Sequence, residues 1–225
     1  MMQKTQTLLR ILVKRKGKAA FLDAIKRNGK LLDVGCGNNS PFRCKTQRPD
    51  IYYVGLDIDD YNQESKPRLY ADSYIVTSPD NFANEIVKFE DQLDAVLSYH
   101  NIEHCNHPND VLRAMLKSLK AGGKIYLAFP CEESVTFPKR RGTLNFYDDV
   151  THQVVPNYEN ICASIKSEGL QIDFASKRYR PFVLMILGFL LEPFGAIMKR
   201  NMPAGSTWAL YGFESVIWAS RPVQD

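Results

Sequence analysis

From residue 30 onward, short β-prone apolar segments alternate with segments of helical spacing, and this alternation restricts the fold more than any other feature. "KLLDVG" (30–35) reads as a buried strand ending in glycine, and "IYYVGLDI" (51–58) as a β-branched and aromatic strand. "RLYADSYIV" (68–76) supplies a third, and "LDAVLSY" (93–99) is apolar enough to be covered on both faces of a parallel sheet. "KIYLAFP" (124–130), "LQIDFAS" (170–176) and "FESVIWAS" (213–220) follow. Helical segments fall between them. Residues 3–28 are helical in pattern, and Ser40 with Pro41 marks a helix start, as does Ser78 with Pro79, opening a helix to about 89. Val111, Leu112, Met115, Leu116 and Leu119 have helical spacing, closed by Gly122, and "NYENICASIKSEG" (157–169) is a last helix ending in glycine. Such an order implies right-handed crossovers and a doubly wound, mainly parallel, three-layer α/β sheet of seven strands with an antiparallel edge. Residues 177–212, rich in Phe, Leu, Met, Pro and Gly, form an insertion between the last two strands.

The 225 residues suffice for a single domain with a substantial core. A formal charge of +4 is mild, and no nucleic-acid partner is expected. Basic residues do gather early: Lys4, Arg10, Lys14, Arg15, Lys16, Lys18, Lys26, Arg27 and Lys30 face only Asp23. A solvated helix face accounts for this; attraction to an anionic membrane or a phosphorylated substrate is the alternative. Cys36, Cys44, Cys105, Cys131 and Cys162 are odd in number and contain no C-x-x-C pair. With no export signal read, free thiols and a cytoplasmic location are expected. "FVLMILGFLL" (182–191) is shorter than the roughly 20 residues that span a bilayer, and Glu192-Pro193 interrupts it, so no transmembrane helix is expected. Buried core is the simpler account of that run.

In an open α/β sheet the ligand sits at the carboxyl ends of the strands, so the loops there carry the chemistry. The first reads Asp33-Val34-Gly35-Cys36-Gly37-Asn38-Asn39, whose glycines let backbone approach a ligand. A dinucleotide loop would need glycine at position 40, where Ser40 stands, and a pyrophosphate cradle is disfavoured. Asp57 ends the second strand about 20 residues past Gly37, where an acidic residue accepts hydrogen bonds from ribose hydroxyls.

"LLDVGCG", "VGLDI", "YADSY", "LDAVLSYHNIEH" and "LKAGGKIYLAFP" together resemble the successive motifs of class I S-adenosylmethionine-dependent methyltransferases, a Rossmann-like family, over about residues 29–176. "GCGNNSPF", "FPCEESVTFP" and "GTLNFYDDVTH" further resemble methyltransferases of bacterial surface-glycan clusters. The resemblance implies S-adenosyl-L-methionine as cofactor. Gly35, Cys36 and Gly37 would line the methionine moiety with Asp33 near its amino group, and Asp57 with Ile58 would hold the ribose. Asp72 would take the adenine amino group, and Ser98, Tyr99 and His100 would close over the methionyl side. Asn39 replaces the third glycine of the family pattern, a residue that tolerates positive φ better than most.

His100-x-x-Glu103-His104 also has the spacing of an inverted zincin. That reading needs an uninterrupted helix, which the strand before His100 and the pair His107-Pro108 both oppose. No third ligand follows at a recognisable spacing, so transfer is expected without a metal. His104, and His152 beside Asp148 and Asp149, are the candidate bases for an acceptor hydroxyl; a neutral imidazole, with pKa near ~6.5, suits that task. Cys36 and Cys131 have no compelling base and read as packing. The insertion 177–212 is expected to form the acceptor lid. The acceptor is expected to be a small molecule, sugar or lipid-linked glycan, with contact at the inner membrane face left open. Lys177, Arg178, Arg180, Lys199 and Arg200 flank the apolar run and fit such a contact. Competing accounts are a methyltransferase for a lipophilic small molecule such as a quinone or polyketide, a zinc hydrolase on His100, Glu103 and His104, and a non-catalytic nucleoside binder. Stoichiometric zinc would mark the second, and indifference of turnover to histidine replacement the third.

Overall fold

The computed structural model describes residues 11–59 and 66–223. Seven strands form one sheet: β1 (Lys30–Val34), β2 (Tyr52–Asp57), β3 (Ser73–Val76), β4 (Leu93–Tyr99), β5 (Leu119–Pro130), β6 (Gln171–Ser176) and β7 (Glu214–Ser220). Their order is β3-β2-β1-β4-β5-β7-β6, with β7 antiparallel to both neighbours. The antiparallel strand is thus one place in from the edge that β6 forms. Helices α1 (Lys18–Asp23), α2 (Ser40–Gln47), α3 (Phe82–Val87), α4 (Pro108–Lys117) and α5 (Tyr158–Ser167) cover the sheet, and α6 (Phe182–Met198) with α7 (Ser206–Tyr211) makes up most of the insertion.

Two cores lie on opposite faces, and strand periodicity sorts residues between them. Leu32, Val34 and Val96 meet Phe82, Ile86, Val111, Met115 and Ile165 on one side. Leu31, Ala95 and Leu97 meet Phe21, Leu22 and Ile25 on the other. Each fully buried Leu, Ile or Phe contributes about 1.5–3 kcal/mol, and the helices are held chiefly by this burial.

Several local expectations change on folding. Residues 11–13 and α1 are helical but separated by a break, while Lys4 and Arg10 lie outside the described residues. Arg15, Lys26 and Arg27 are exposed, as a solvated face requires, but several of the basic residues have partners. Lys14 pairs with Glu214 (3.0 Å), Lys26 with Asp94 (2.8 Å), and Lys16 lies 4.8 Å over the Trp218 ring. β3 is shorter than 68–76, since Pro67–Leu69 forms a 3₁₀ turn before it. Asn39, not Ser40, precedes α2, and the Ser40 hydroxyl goes to Asp33 instead of the helix end. The start at Ser78-Pro79 is a 3₁₀ turn that leads into α3. α4 stops at Lys117, and β5 begins already at Leu119; Gly122 (φ +75°) lies in that early part of the strand, its N–H bonded to Arg221 O (2.9 Å).

The apolar run 182–191 is not core. Only Leu184, Gly188 and Gly195 of α6 are buried, while Phe189 and Leu190 are 71% and 64% exposed. Glu192 bonds Arg140 through both its oxygens (3.1 and 2.5 Å) and accepts from Tyr211 Oη (2.6 Å). The Arg140–Glu192–Tyr211 contact therefore anchors a helix whose outward face is apolar. No helix of the described residues is long and apolar enough to cross a membrane.

Candidate active site

β1 and β4 are neighbours in the sheet, and the chain leaves them toward opposite sides, which opens a crevice at their carboxyl ends. Gly35 (φ +68°) donates its N–H to Leu56 O (2.8 Å), and a Cβ there would lie 2.2 Å from Asn101 Oδ1. Glycine is required so that the loop after β4 can pack against the loop after β1. Gly37 (φ +56°) differs: a Cβ there would meet nothing within 4 Å. This loop faces open space. Beneath it the buried Asp57 carboxylate accepts Gly37 N–H (2.6 Å) and Ile58 N–H (2.8 Å). Asn39, at the third-glycine position, has φ −92°, so no glycine is needed there.

Asp33 is 1% exposed and ties β1 to its surroundings, accepting from Tyr53 Oη (2.7 Å), Ser40 Oγ and Lys18 Nζ (3.5 Å). Its Oδ1 is buried without a partner. Burial, aided by the charges of Asp33 and Asp57, pushes the Cys36 thiol well above its ordinary pKa. Burial, with Glu133 beside it, likewise raises Cys131 to about 11. All five cysteines are buried and free, and burial disfavours the thiolate at these two.

Asp72 is not at the crevice. It precedes β3 and accepts from Tyr53 N–H (2.7 Å) and Lys45 Nζ (2.7 Å) near the start of β2. Parallel register pairs Val76 with Asp57, so Asp72 lies about 13 Å toward the amino edge, at roughly 3.3 Å per residue. The acidic residue beyond the carboxyl end of β3 is Asp80, bonded to Asn106 (2.6 Å).

Ser98 is buried in β4, and Tyr99 and His100 follow at its end. His100 (φ +51°) is held on both nitrogens, Nδ1 to Glu103 (3.1 Å) and Nε2 to Glu214 (3.2 Å), with its ring stacked on Phe213. Burial alone would lower its pKa, but hydrogen bonds and charges from both glutamates raise it to about 9. For Glu214 burial opposes ionisation, and Lys14, His100 and Tyr99 outweigh it, holding the carboxyl below the usual range. His100 is therefore an imidazolium braced between two carboxylates, and the zincin pairing of His100 with His104 fails. His104 instead closes a 3₁₀ turn (Ile102–His104), and α4 starts at Pro108.

The fold brings His104 to His152, their ring centroids 4.7 Å apart. Glu103 lies beside them: one ligand atom from each of the three falls within 4.8 Å of the others. His152 was thus visible to sequence reading, but its position next to Glu103 and His104 was not. A cavity of about 380 Å³ opens beside Tyr99, where Lys14 meets Met202, Gly205 and Trp208 of the insertion. Trp208, whose ring is 5.0 Å from His100, carried no sequence signal.

Residues 32–127 match the methyltransferase domain family. An uncharacterized protein of Methanocaldococcus jannaschii is 30% identical over 109 residues, covering 46% of this chain and 29% of that protein, so the chain matches less than a third of that relative's length. Among solved structures, an S-adenosylmethionine-dependent methyltransferase from Archaeoglobus fulgidus superposes with a TM-score of 0.57 at 15% identity, over 97% of this chain and 94% of that one. One from Mesorhizobium loti gives 0.60 at 13%, over 91% and 97%. At such identities the likeness shows the fold. Residues 32–127 thus resemble a methyltransferase domain, and the fold is shared with S-adenosylmethionine-dependent methyltransferases. S-adenosyl-L-methionine is the cofactor to which domain and fold point.

Proposed function

We propose that the protein transfers a methyl group from S-adenosylmethionine to a hydroxyl of a lipid-linked sugar or glycan precursor. The carrying observation is the conjunction at one sheet edge of the open Gly35–Gly37 loop, the buried Asp57 carboxylate and the His104–His152 pair. When bound, the cofactor supplies a methyl group already activated on a sulfonium. The chain's own residues do the rest. Gly35 and Gly37 keep Cβ atoms out of the cradle, with Cys36 between them, and Asp57, flanked by Ile58, offers carboxylate oxygens to vicinal hydroxyls. Asp80 replaces Asp72 as the acidic residue at the adenine end. Asp33 and Tyr99 position the loops around the methionyl side, and His100 is a brace, since its raised pKa unsuits it as a base. His104 and His152 handle the acceptor proton, worth roughly 10²–10⁴ in rate, and positioning supplies about 7–11 kcal/mol of the barrier reduction.

The acceptor's lipid part is supported by α6. Its exposed Phe182, Phe189, Leu190, Phe194 and Ile197 form an apolar face next to exposed Arg180, Lys199 and Arg200, the arrangement of a helix lying on an anionic membrane. The insertion 177–212 then serves as both acceptor lid and membrane contact.

Thermal unfolding with S-adenosylhomocysteine tests the cofactor half. At about 100 times the dissociation constant the ligand adds roughly 2.7 kcal/mol, a rise of about 5–10 °C in Tm. Radiolabelled methyl transfer to lipid-linked against free sugars tests the acceptor half; label confined to a free sugar or a quinone would overturn it.

A further inference from the structure

We propose that Glu103, His104 and His152 form a binding site for a first-row divalent cation. Among the described residues they are the one group of His, Cys, Asp and Glu ligand atoms gathered so closely, within 4.8 Å of one another. Ligands bound at about 2.0–2.2 Å to one ion lie some 3–4 Å apart, so side-chain rotations that bring the ligand atoms about 1–2 Å closer together close the set.

The hydrogen bonds made outside the trio leave each of its members a lone pair to offer. His152 Nδ1 is 2.6 Å from Phe146 O, which can only accept, so Nδ1 carries the proton and Nε2 the lone pair. Thr151 Oγ1 donates to Asp149 Oδ1 (2.5 Å) and so accepts from His104 Nδ1 (3.0 Å), which again leaves Nε2 as a lone pair. Fixing a ligand histidine's tautomer through its outer nitrogen is how metal sites are built, and here a carbonyl and a Thr–Asp relay do so. Glu103 is fully buried; one oxygen holds His100, and Oε2 has no hydrogen-bond partner at all. A buried carboxylate grouped with two imidazoles that each keep a lone pair, with one ligand atom of each within 4.8 Å of the others, is unfavourable until a cation joins them.

Two imidazoles and one carboxylate suit manganese through zinc rather than calcium, and they leave coordination positions open. On the methyl-transfer reading, on which this extension rests, those positions take the acceptor's hydroxyl oxygens, which favours an acceptor with adjacent hydroxyls. With the ion bound, the hydroxyl would lose its proton to solvent, and the histidine pair takes that proton directly only in the metal-free protein.

The full chain, stripped with chelator, would be titrated with Co²⁺ and Zn²⁺ by calorimetry and visible absorption, without cofactor or acceptor. One equivalent per chain is expected, with a Co²⁺ spectrum that zinc displaces. His104→Ala, His152→Ala and Glu103→Gln should each weaken binding by at least about 100-fold, and Thr151→Ala by less. His107→Ala, an exposed histidine outside the trio, should bind as the parent does. Because Glu103 is buried, circular dichroism would verify folding, and the partly exposed His104 variant decides if Glu103→Gln misfolds. No stoichiometric binding, or binding unchanged in His104→Ala and His152→Ala, would overturn the site. Metal binding without stabilisation by S-adenosylhomocysteine would keep the site and remove the methyl-transfer reading; the reverse pattern would do the opposite.

Discussion

Glu214 joins three residues that are remote in sequence: Lys14 (3.0 Å), Tyr99 (2.8 Å) and His100 (3.2 Å). Removing one partner of a buried pair costs about 3–5 kcal/mol, and the partial exposure of Lys14 places Glu214→Ala near the lower figure. Calorimetry should show Tm lower by roughly 6–12 °C; a change under about 2 °C would mean the hub does not hold the site. Asp57→Ala is expected to abolish the stabilisation by S-adenosylhomocysteine while the unliganded chain still folds, and retained stabilisation would remove Asp57 from the cofactor cradle. Gly35, Gly37 and Asp57 were legible because short spacings within one strand–loop unit define them. Glu214 was not, for nothing in "GFESV" distinguishes a carboxylate aimed at His100 from any other strand residue. Asp72 was misplaced for a related reason: an acidic residue near a strand does not reveal at which end it lies.

α6 is the element whose composition and position disagree most with an ordinary soluble helix. Its buried positions are Leu184, Gly188 and Gly195, with Glu192 partly covered, and most of its large apolar side chains face outward. Phe189→Glu with Ile197→Glu should change folding stability by no more than about 0.5 kcal/mol each, as for other exposed positions, yet abolish flotation with anionic vesicles. Undiminished flotation would take the membrane contact away from this helix. Gly188 shows the opposite sensitivity. A Cβ there would sit 2.2 Å from Ser206 O and 2.8 Å from Leu210 Cβ, so Gly188→Ala must push α6 off α7. Overpacking of this kind costs about 1–3 kcal/mol, measurable as a lower denaturant midpoint. Element types were legible in advance from period and caps, but which face of α6 would be covered depends on Arg140 and Tyr211, both outside the helix.

Asp94 ties several elements together at the edge of the sheet remote from the site, bonding Lys26 (2.8 Å), Lys120 (2.7 Å) and the Lys30 N–H (2.8 Å). Burial opposes its ionisation, but Lys120, Lys26 and the Lys30 N–H together lower its pKa. Its contribution to stability is therefore complete above the unfolded value near ~3.9 and disappears as pH falls through the lower folded value. The Tm difference between parent and Asp94→Asn should be largest near neutral pH and shrink below about pH 4; a pH-independent difference would show that packing, not charge, is lost. By itself the sequence determined the alternation of strands and helices, the three-layer class and the Gly–Asp cradle, because each depends on periodicity or spacing over a few residues. The tertiary structure alone decided that His152 meets Glu103 and His104, that Glu214 braces His100, and that α6 turns its apolar side outward. Those contacts join residues from separate crossovers, and their distances are set by sheet order and register, which local spacing does not encode.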